Sequence, residues 1–528
     1  MNIRELPLET LRRAAYALRG NWPYQCHQDI AAIRNFRLVC KKFENAGTES
    51  LFNAVVLYPE KNAFQSRPMS GNFEEPMEAS DPRTSISKFT ALQNSPQLRK
   101  LVRTAVLKTS IDDVESSHDS DRVTEEWREA VSGLSEFVNL SSIIVQFREG
   151  CFADENDMNW KTEDEEFRSD ILRTIFRALN NTGSPLSKLR SLTIINLQNV
   201  NSPSVVNLPS FQAVLSQLTE LHLRIATENV EASPENSIRL PELHSFFGDG
   251  LLKAWLQPIR QNLTHLTLYA DTYWGWAPAF EALRSLHFPK LKYLALGNFT
   301  IAHDWQADWI TSHGATLQTL IMDDCPILFF MYPSDALDEQ PHVSHDDHIA
   351  IHTPDTDTAA TGPDTATSQS EPTYWTYPTR WHQLFPRLSS GLPNLTKLVY
   401  GHGYSFDDRD VMRPDFHVNS YVAFHGGIGP SPWVEQYCGT WDEEVQDDAF
   451  DVFDDGISVW NPGKAEPPFW VRNEEAAGAW LKDGGADGGG GAEPQRGIGC
   501  RVQDEEALQS MLTIVAERAK ARPAKNEG

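Results

Sequence analysis

The sequence predicts an α/β chain. A small helical unit comes first, followed by an irregular array of short parallel strands alternating with helices. Three observations carry this. The chain has 528 residues, beyond the roughly 250–300 at which one hydrophobic core stops growing, so it divides into units or runs as an elongated array. An apolar pattern, L-x-x-L-x-L with conservative exchanges, recurs between residues 102 and 400. Residues 4–52 carry helical periodicity instead.

The helical unit is taken first. Leu6-Pro7 opens it, and proline suits a first helical turn, where its missing N–H is not needed. Leu8, Leu11, Ala15 and Leu18 share one face, and Gly20, Asn21 and Pro23 end the helix. A second amphipathic helix follows Asp29, with Ala32, Phe36, Val39, Cys40 and Phe43 on its apolar side and Arg34, Arg37, Lys41 and Lys42 beside them. After Gly47 a short third helix ends in Leu51-Phe52, and Ala54–Tyr58 reads as a strand. About fifty residues bury little core alone, so these helices need a partner. Another chain or the array itself would serve.

Residues 60–88 read as a linker, and the array occupies 89–332. Its copies are Val102/Ala105/Leu107, Leu140/Ile143/Val145, Leu189/Leu192/Ile194, Leu218/Leu221/Leu223, Leu263/Leu266/Leu268, Leu291/Leu294/Leu296 and Leu317/Leu320/Met322. A last one, Leu395/Leu398/Tyr400, lies in 374–403. The final two apolar positions of each copy are two apart, so they share one side of a short strand. A single such strand cannot bury that side, but stacked neighbours share a continuous core. Copies starting at 189 and 218, at 263 and 291, and at 291 and 317 have leucine-rich-repeat spacing. Wider gaps need a degenerate copy or an insertion. Phe211–Leu218 and Pro241–Ile259 read as helices between strands, and Cys325 as a buried thiol in a turn. An ordinary α/β domain with buried strands is the competing reading.

Ile111–Asp121 is an acidic loop, and 334–373 lacks the apolar residues needed to offset ordering, so a disordered insertion is expected there. Residues 404–503 are irregular, with a short strand at Tyr421–Phe424, acidic residues over Asp442–Asp455 and a glycine tract at Gly484–Gly491. Residues 504–522 form a C-terminal helix with Asp504 as N-cap and Leu508, Met511, Leu512 and Val515 as its apolar stripe.

Composition narrows the function. The net charge of −27 argues against nucleic acid or an anionic membrane as partner, because both demand clustered Lys and Arg. No window offers the ~18 apolar residues of a membrane span. Arg4 and Glu5 stand where a secretory signal would be apolar. The six cysteines are dispersed without a C-x-x-C, which fits reduced thiols in cytoplasm or nucleus. His342, His345, His348 and His352 could ligate a metal, but they adjoin the insertion. HGGIG (His425–Gly429) lacks the residues of a phosphate loop, and no G-x-S-x-G occurs. Neither catalytic residues, nor a metal site, nor a cofactor is expected. Aromatics at strand exits, Tyr269, Tyr273, Trp274, Trp276, Trp305 and Trp309, are candidates for gripping a substrate, with packing between neighbouring strands as the other reading.

The run L-P-x-E-x-L (Leu6, Pro7, Glu9, Leu11), followed by R-L-V-C-K-K-F (Arg37–Phe43), resembles an F-box. The exit E-S-L-F-N-A-V-V-L is similar to the passage into the first strand of fungal F-box proteins with repeat-type C-terminal regions. The link Arg19–Gln28 is longer than that family's usual one. The resemblance implies a substrate receptor of a Skp–cullin–F-box ubiquitin ligase, without catalysis of its own. Leu6, Pro7, Leu11, Leu38, Val39 and Phe43 would bind or support the Skp-type adaptor, which connects to a cullin. The repeats would hold an unknown protein substrate. The alternative is a non-catalytic repeat scaffold whose N-terminal helices only cap the array.

Overall fold

The computed structural model describes residues 6–18, 27–59, 86–110, 123–148, 150–151, 163–180, 186–227, 241–332, 344–351, 374–401, 420–425, 433–436 and 500–522. The chain forms two compact units, 1–226 and 227–528.

The first unit opens with α1 (Leu8–Ala17), α2 (His27–Arg37) and α3 (Lys41–Phe52). The second helix expected from the sequence does not run on to Phe43. Cys40 is fully extended (φ −171°, ψ 175°) and α3 starts at Lys41, so Phe43 and Gly47 both lie within α3. The reason is packing. In one straight helix Phe36 and Phe43 would stand about 10 Å apart along the axis. The corner at 38–40 brings their ring centroids to 4.6 Å. Gly47 permits this close crossing, since a Cβ there would sit 2.4 Å from Arg37 Cγ.

Next come β1 (Ala54–Leu57), α4 (Ile86–Gln93), β2 (Thr104–Lys108), α5 (Glu125–Ser132), β3 (Ser142–Gln146), α6 (Glu165–Leu179), β4 (Ser191–Gln198), α7 (Pro203–Val206), α8 (Pro209–Gln217) and β5 (Glu220–Ala226). Helix α4 begins inside the segment read as a linker, whose residues 60–85 lie outside those described. Thr124 and Asp164 cap α5 and α6 by accepting the N–H of Trp127 and Phe167, and two glutamates follow each cap, suiting the positive helix end.

The five strands pair in parallel, in chain order. The repeated apolar positions form rows across them: Val55, Ala105, Ile143, Leu192 and Leu221 in one, Leu57, Leu107, Val145, Ile194 and Leu223 in the next. All are buried. Leu140, Leu189 and Leu218, the first positions of their copies, are buried at the turns entering the strands. A shared backbone device fixes the register. The carbonyl of Asn53 accepts two successive N–H groups, Arg103 and Thr104. Arg103 does the same for Ser141 and Ser142, Ser141 for Arg190 and Ser191, and Arg190 for Thr219 and Glu220, all at 2.7–3.1 Å.

The second unit begins with α9 (Pro241–Ser245), which continues as wider π-turns to Leu256. Then follow β6 (His265–Trp274), β7 (Tyr293–Phe299), α10 (Asp304–Thr311), β8 (Thr319–Asp323), β9 (Ile327–Tyr332), β10 (Ile349–Ile351), β11 (Tyr374–Thr376), α11 (Trp381–Gly391), β12 (Lys397–Gly401), β13 (Tyr421–His425), β14 (Trp433–Gln436) and α12 (Arg501–Ala521). Strands β6, β7, β8 and β12 are parallel neighbours in that order. They carry the rows Leu266/Leu294/Leu320/Leu398 and Leu268/Leu296/Met322/Tyr400 and the same shared carbonyls, at Thr264, Lys292 and Gln318. Left-handed Asn298 (φ 54°) ends this part of β7 and donates its side-chain amide to the Ala270 carbonyl at 2.8 Å.

Strands β9, β10 and β11, which lie between β8 and β12, and β13 and β14, which follow β12, form a second sheet, ordered β10-β11-β9-β13-β14. Part of the segment read as a disordered insertion is therefore structured: β10 pairs antiparallel with β11. Residues 334–343 and 352–373 lie outside the described residues, as do the acidic loop at 111–121, the acidic run at 442–455 and the glycine tract. Helix α12 starts at Arg501, so Asp504 is in its first turn and not its cap. Leu508, Met511 and Val515 are buried, on a helix that packs on α11 and β12.

Candidate functional site

In the helical unit α1 and α3 run side by side in the same direction. The Arg12 guanidinium donates to both Glu49 carboxylate oxygens at 2.6 and 3.0 Å, and the Ser50 hydroxyl donates to the Ala15 carbonyl at 3.1 Å. The Glu49 carboxylate raises the Arg12 pKa. Between the helices Leu11, Phe43 and Ala46 form a core, with Leu6, Phe36 and Cys40 packed against it.

This geometry sorts the six residues expected at an adaptor contact. Leu11 and Phe43 are 1% and 3% exposed, inside the unit. Leu6 is half-buried on their cluster. Pro7 is exposed, Leu38 is 83% exposed and Val39 45%. Leu6 and Cys40 both pack against the cluster of Leu11, Phe43 and Ala46. Of eight large apolar side chains exposed among the described residues, five (Leu8, Tyr16, Leu18, Leu38 and Val39) fall within residues 8–39. Exposed apolar residues scattered singly need no explanation; these five are concentrated in one small unit. The sequence grouped Leu8 and Leu18 with Leu11 and Ala15 on one inward face. In the fold the stripe narrows to Leu11 and Ala15.

The aromatic residues divide as well. Trp274, Trp276 and Trp309 are interior. The Trp274 indole N–H donates to the Gly297 carbonyl at 2.7 Å, and its ring lies 4.7 Å from that of Phe299. Trp276 packs with Leu328, Met331, Val422 and Phe424 under the second sheet. Trp309 donates to the Leu286 carbonyl at 2.8 Å. Tyr269, Tyr273 and Trp305 are half-buried. The Tyr269 ring lies over Gly297, where a Cβ would fall 1.7 Å away, and the Arg284 guanidinium stands 5.0 Å from the Trp305 ring centroid.

The remaining chemical candidates also have places. Cys325 is a buried thiol that donates to the Leu296 and Asp323 carbonyls at 3.4 and 3.5 Å, and burial pushes its pKa up. His345 stacks on Trp375 at 4.5 Å, and His348 lies 5.0 Å from His303. Burial and its two histidine neighbours push His348 down to about 3. His342, His352 and the glycines of the HGGIG run lie outside the described residues.

No protein-family model matches the chain, and no curated protein matches it. Among solved structures, a chain from the crystal structure of the Rad7 and Elc1 complex in yeast is similar at 12% identity and a TM-score of 0.23, over 78% of this chain and 92% of that one. Similarity at that level is too slight to establish a shared fold.

Proposed function

We propose that this chain is a substrate receptor of a Skp–cullin–F-box ubiquitin ligase. Its helical unit docks a Skp-type adaptor, and its leucine-rich-repeat-like solenoid holds a protein substrate. It has no catalysis of its own and works in cytoplasm or nucleus. The observation that carries this reading is the exposure of Leu38 and Val39, together with that of Pro7 and Leu8. These residues belong to the two runs that resemble an F-box. Covering Leu38 and Val39 on docking contributes about 1.5–3 kcal/mol each.

The test is co-expression with a recombinant Skp-type adaptor and gel filtration. The wild-type chain co-elutes with it. L38E/V39E loses co-elution while its melting temperature holds, because neither side chain is in the core. L11A lowers the melting temperature through loss of core packing, a cost of about 2–5 kcal/mol. Undiminished co-elution of L38E/V39E overturns the docking assignment. The direct passage of α3 into β1 favours a second reading, a scaffold whose helices only cap the repeats. That reading predicts no co-elution at all, and loss of the first unit's fold when residues 1–52 are removed.

A further inference from the structure

Three distant parts of the second unit meet at one point. Helix α11 brings His382 in its first turn, β13 brings Tyr421, and the start of α12 brings Cys500 and, one turn later, Asp504. Asp504 is fully buried. Its Oδ1 accepts the backbone N–H of His382 at 2.7 Å and lies 2.8 Å from His382 Nδ1. Its Oδ2 accepts the Tyr421 hydroxyl at 2.7 Å and the Cys500 thiol at 3.1 Å. Tyr421 Oη and Cys500 Sγ are 3.5 Å apart. One ligand atom from each of His382, Cys500 and Asp504 lies within 4.8 Å of the other two.

An imidazole nitrogen, a sulfur and a carboxylate oxygen are the donor types of tetrahedral zinc, whose bond lengths put neighbouring donors about 3.5 Å apart. The atoms need only small shifts to reach that spacing. Cys500 and Asp504, four residues apart, lie on one side of the helix start. The supporting groups are in place too. The Tyr421 hydroxyl and the His382 N–H both hold the Asp504 carboxylate, which is how ligands are oriented from behind. A dication with one carboxylate and one thiolate is electroneutral, which limits the cost of burying it. The partly exposed His382 side chain, at 31%, leaves a way in.

We propose that His382, Cys500 and Asp504 form a binding site for a divalent zinc-class ion that fastens α12 to α11, with a water as fourth donor. On binding, the Cys500 S–H proton goes to solvent and sulfur coordinates as thiolate. His382, whose Nδ1–H donates to Asp504 in the ion-free site, gives that proton to solvent, takes one up on Nε2 and offers the Nδ1 lone pair. Asp504 turns an oxygen from its hydrogen bonds to the ion. No electron is transferred. One proton is released per ion. Without the ion the same groups hydrogen-bond to one another and the latch stays closed.

The test uses the full chain, stripped with a chelator and titrated with cobalt(II) alone. The expected result is a one-to-one tetrahedral visible spectrum with a sulfur-to-cobalt charge-transfer band, displaced by zinc(II). C500S, which keeps the side chain's size, loses that band. H382Q and D504N weaken binding at least tenfold, and zinc raises the melting temperature of the wild-type chain but not of C500S. The proposal is overturned by absence of the band. It is equally overturned if the band persists in C500S, or if H382Q and D504N leave the affinity unchanged, which would mean a lone thiol.

Discussion

His313 lies between α10 and the turn after Leu286, with both ring nitrogens committed. Nδ1 lies 2.9 Å from the Trp309 carbonyl, to which it donates, and Nε2 accepts the Phe288 N–H at 3.2 Å. This network needs a neutral ring. Burial and the neighbouring His287 push its pKa from 6.5 down to about 4. His348 is pushed further, to about 3, and His303 and His345 are lowered by burial too. Such groups bind more protons unfolded than folded between the two pKa values, so stability rises with pH there. As pH falls from 6.5 the chain therefore loses stability, down to about 4 for His313 and about 3 for His348. Each buried histidine adds up to about 1.4 kcal/mol per pH unit to that slope. Urea midpoints measured from pH 7 to pH 4 should fall, and H313Q should flatten the fall. Arg168 makes a related point about charge. It is 2% exposed and donates to the Glu163, Asn196, Arg148 and Gly150 carbonyls at 2.5–3.1 Å.

Among elements, α2 and α3 show where periodicity misleads. Phe36, Val39, Cys40 and Phe43 fit one helical face on paper, and nothing in that spacing reveals a corner at 38–40. The corner turns Val39 outward and Phe43 inward. Helix α12 shows a different limit. Its apolar stripe was legible, and Leu508, Met511 and Val515 are buried. The hydrogen bonds that fix it were not legible, because they join residues more than a hundred positions apart. Arg518 donates to the Leu392 and Ser389 carbonyls at 2.9 and 3.0 Å, satisfying carbonyls that the end of α11 leaves over. R518A should loosen α12 by about 1.5–3 kcal/mol. Amide hydrogen exchange would show this as faster exchange over 501–521, with β6–β8 unchanged.

At the scale of the whole molecule, the repeated L-x-x-L-x-L copies all became buried strands, because a period of two with an apolar entry position admits few other environments. The α/β class and the strand positions were legible for that reason. Of the second sheet, the strand at Tyr421–Phe424 was legible and forms β13, whereas the three-residue β10, in a segment of polar composition, was not. The meeting of His382, Cys500 and Asp504 was equally hidden, because separation in sequence carries no trace of contact. Within residues 6–43 the helical periodicity was legible, but not that Leu11 and Phe43 face inward while Leu38 and Val39 face outward.

The doubled acceptor at each strand entry has a consequence for how such a chain can change length. In the first unit each strand from β2 to β5 takes its alignment from the entry of the strand just before it. Excising residues 190–218 would set Thr219 and Glu220 beneath the Ser141 carbonyl, where Arg190 and Ser191 now sit, and would bring Leu221 and Leu223 beside Ile143 and Val145. The shortened protein should give a cooperative denaturation curve with a lower midpoint. A broad, non-cooperative curve would mean that the coils are not interchangeable modules.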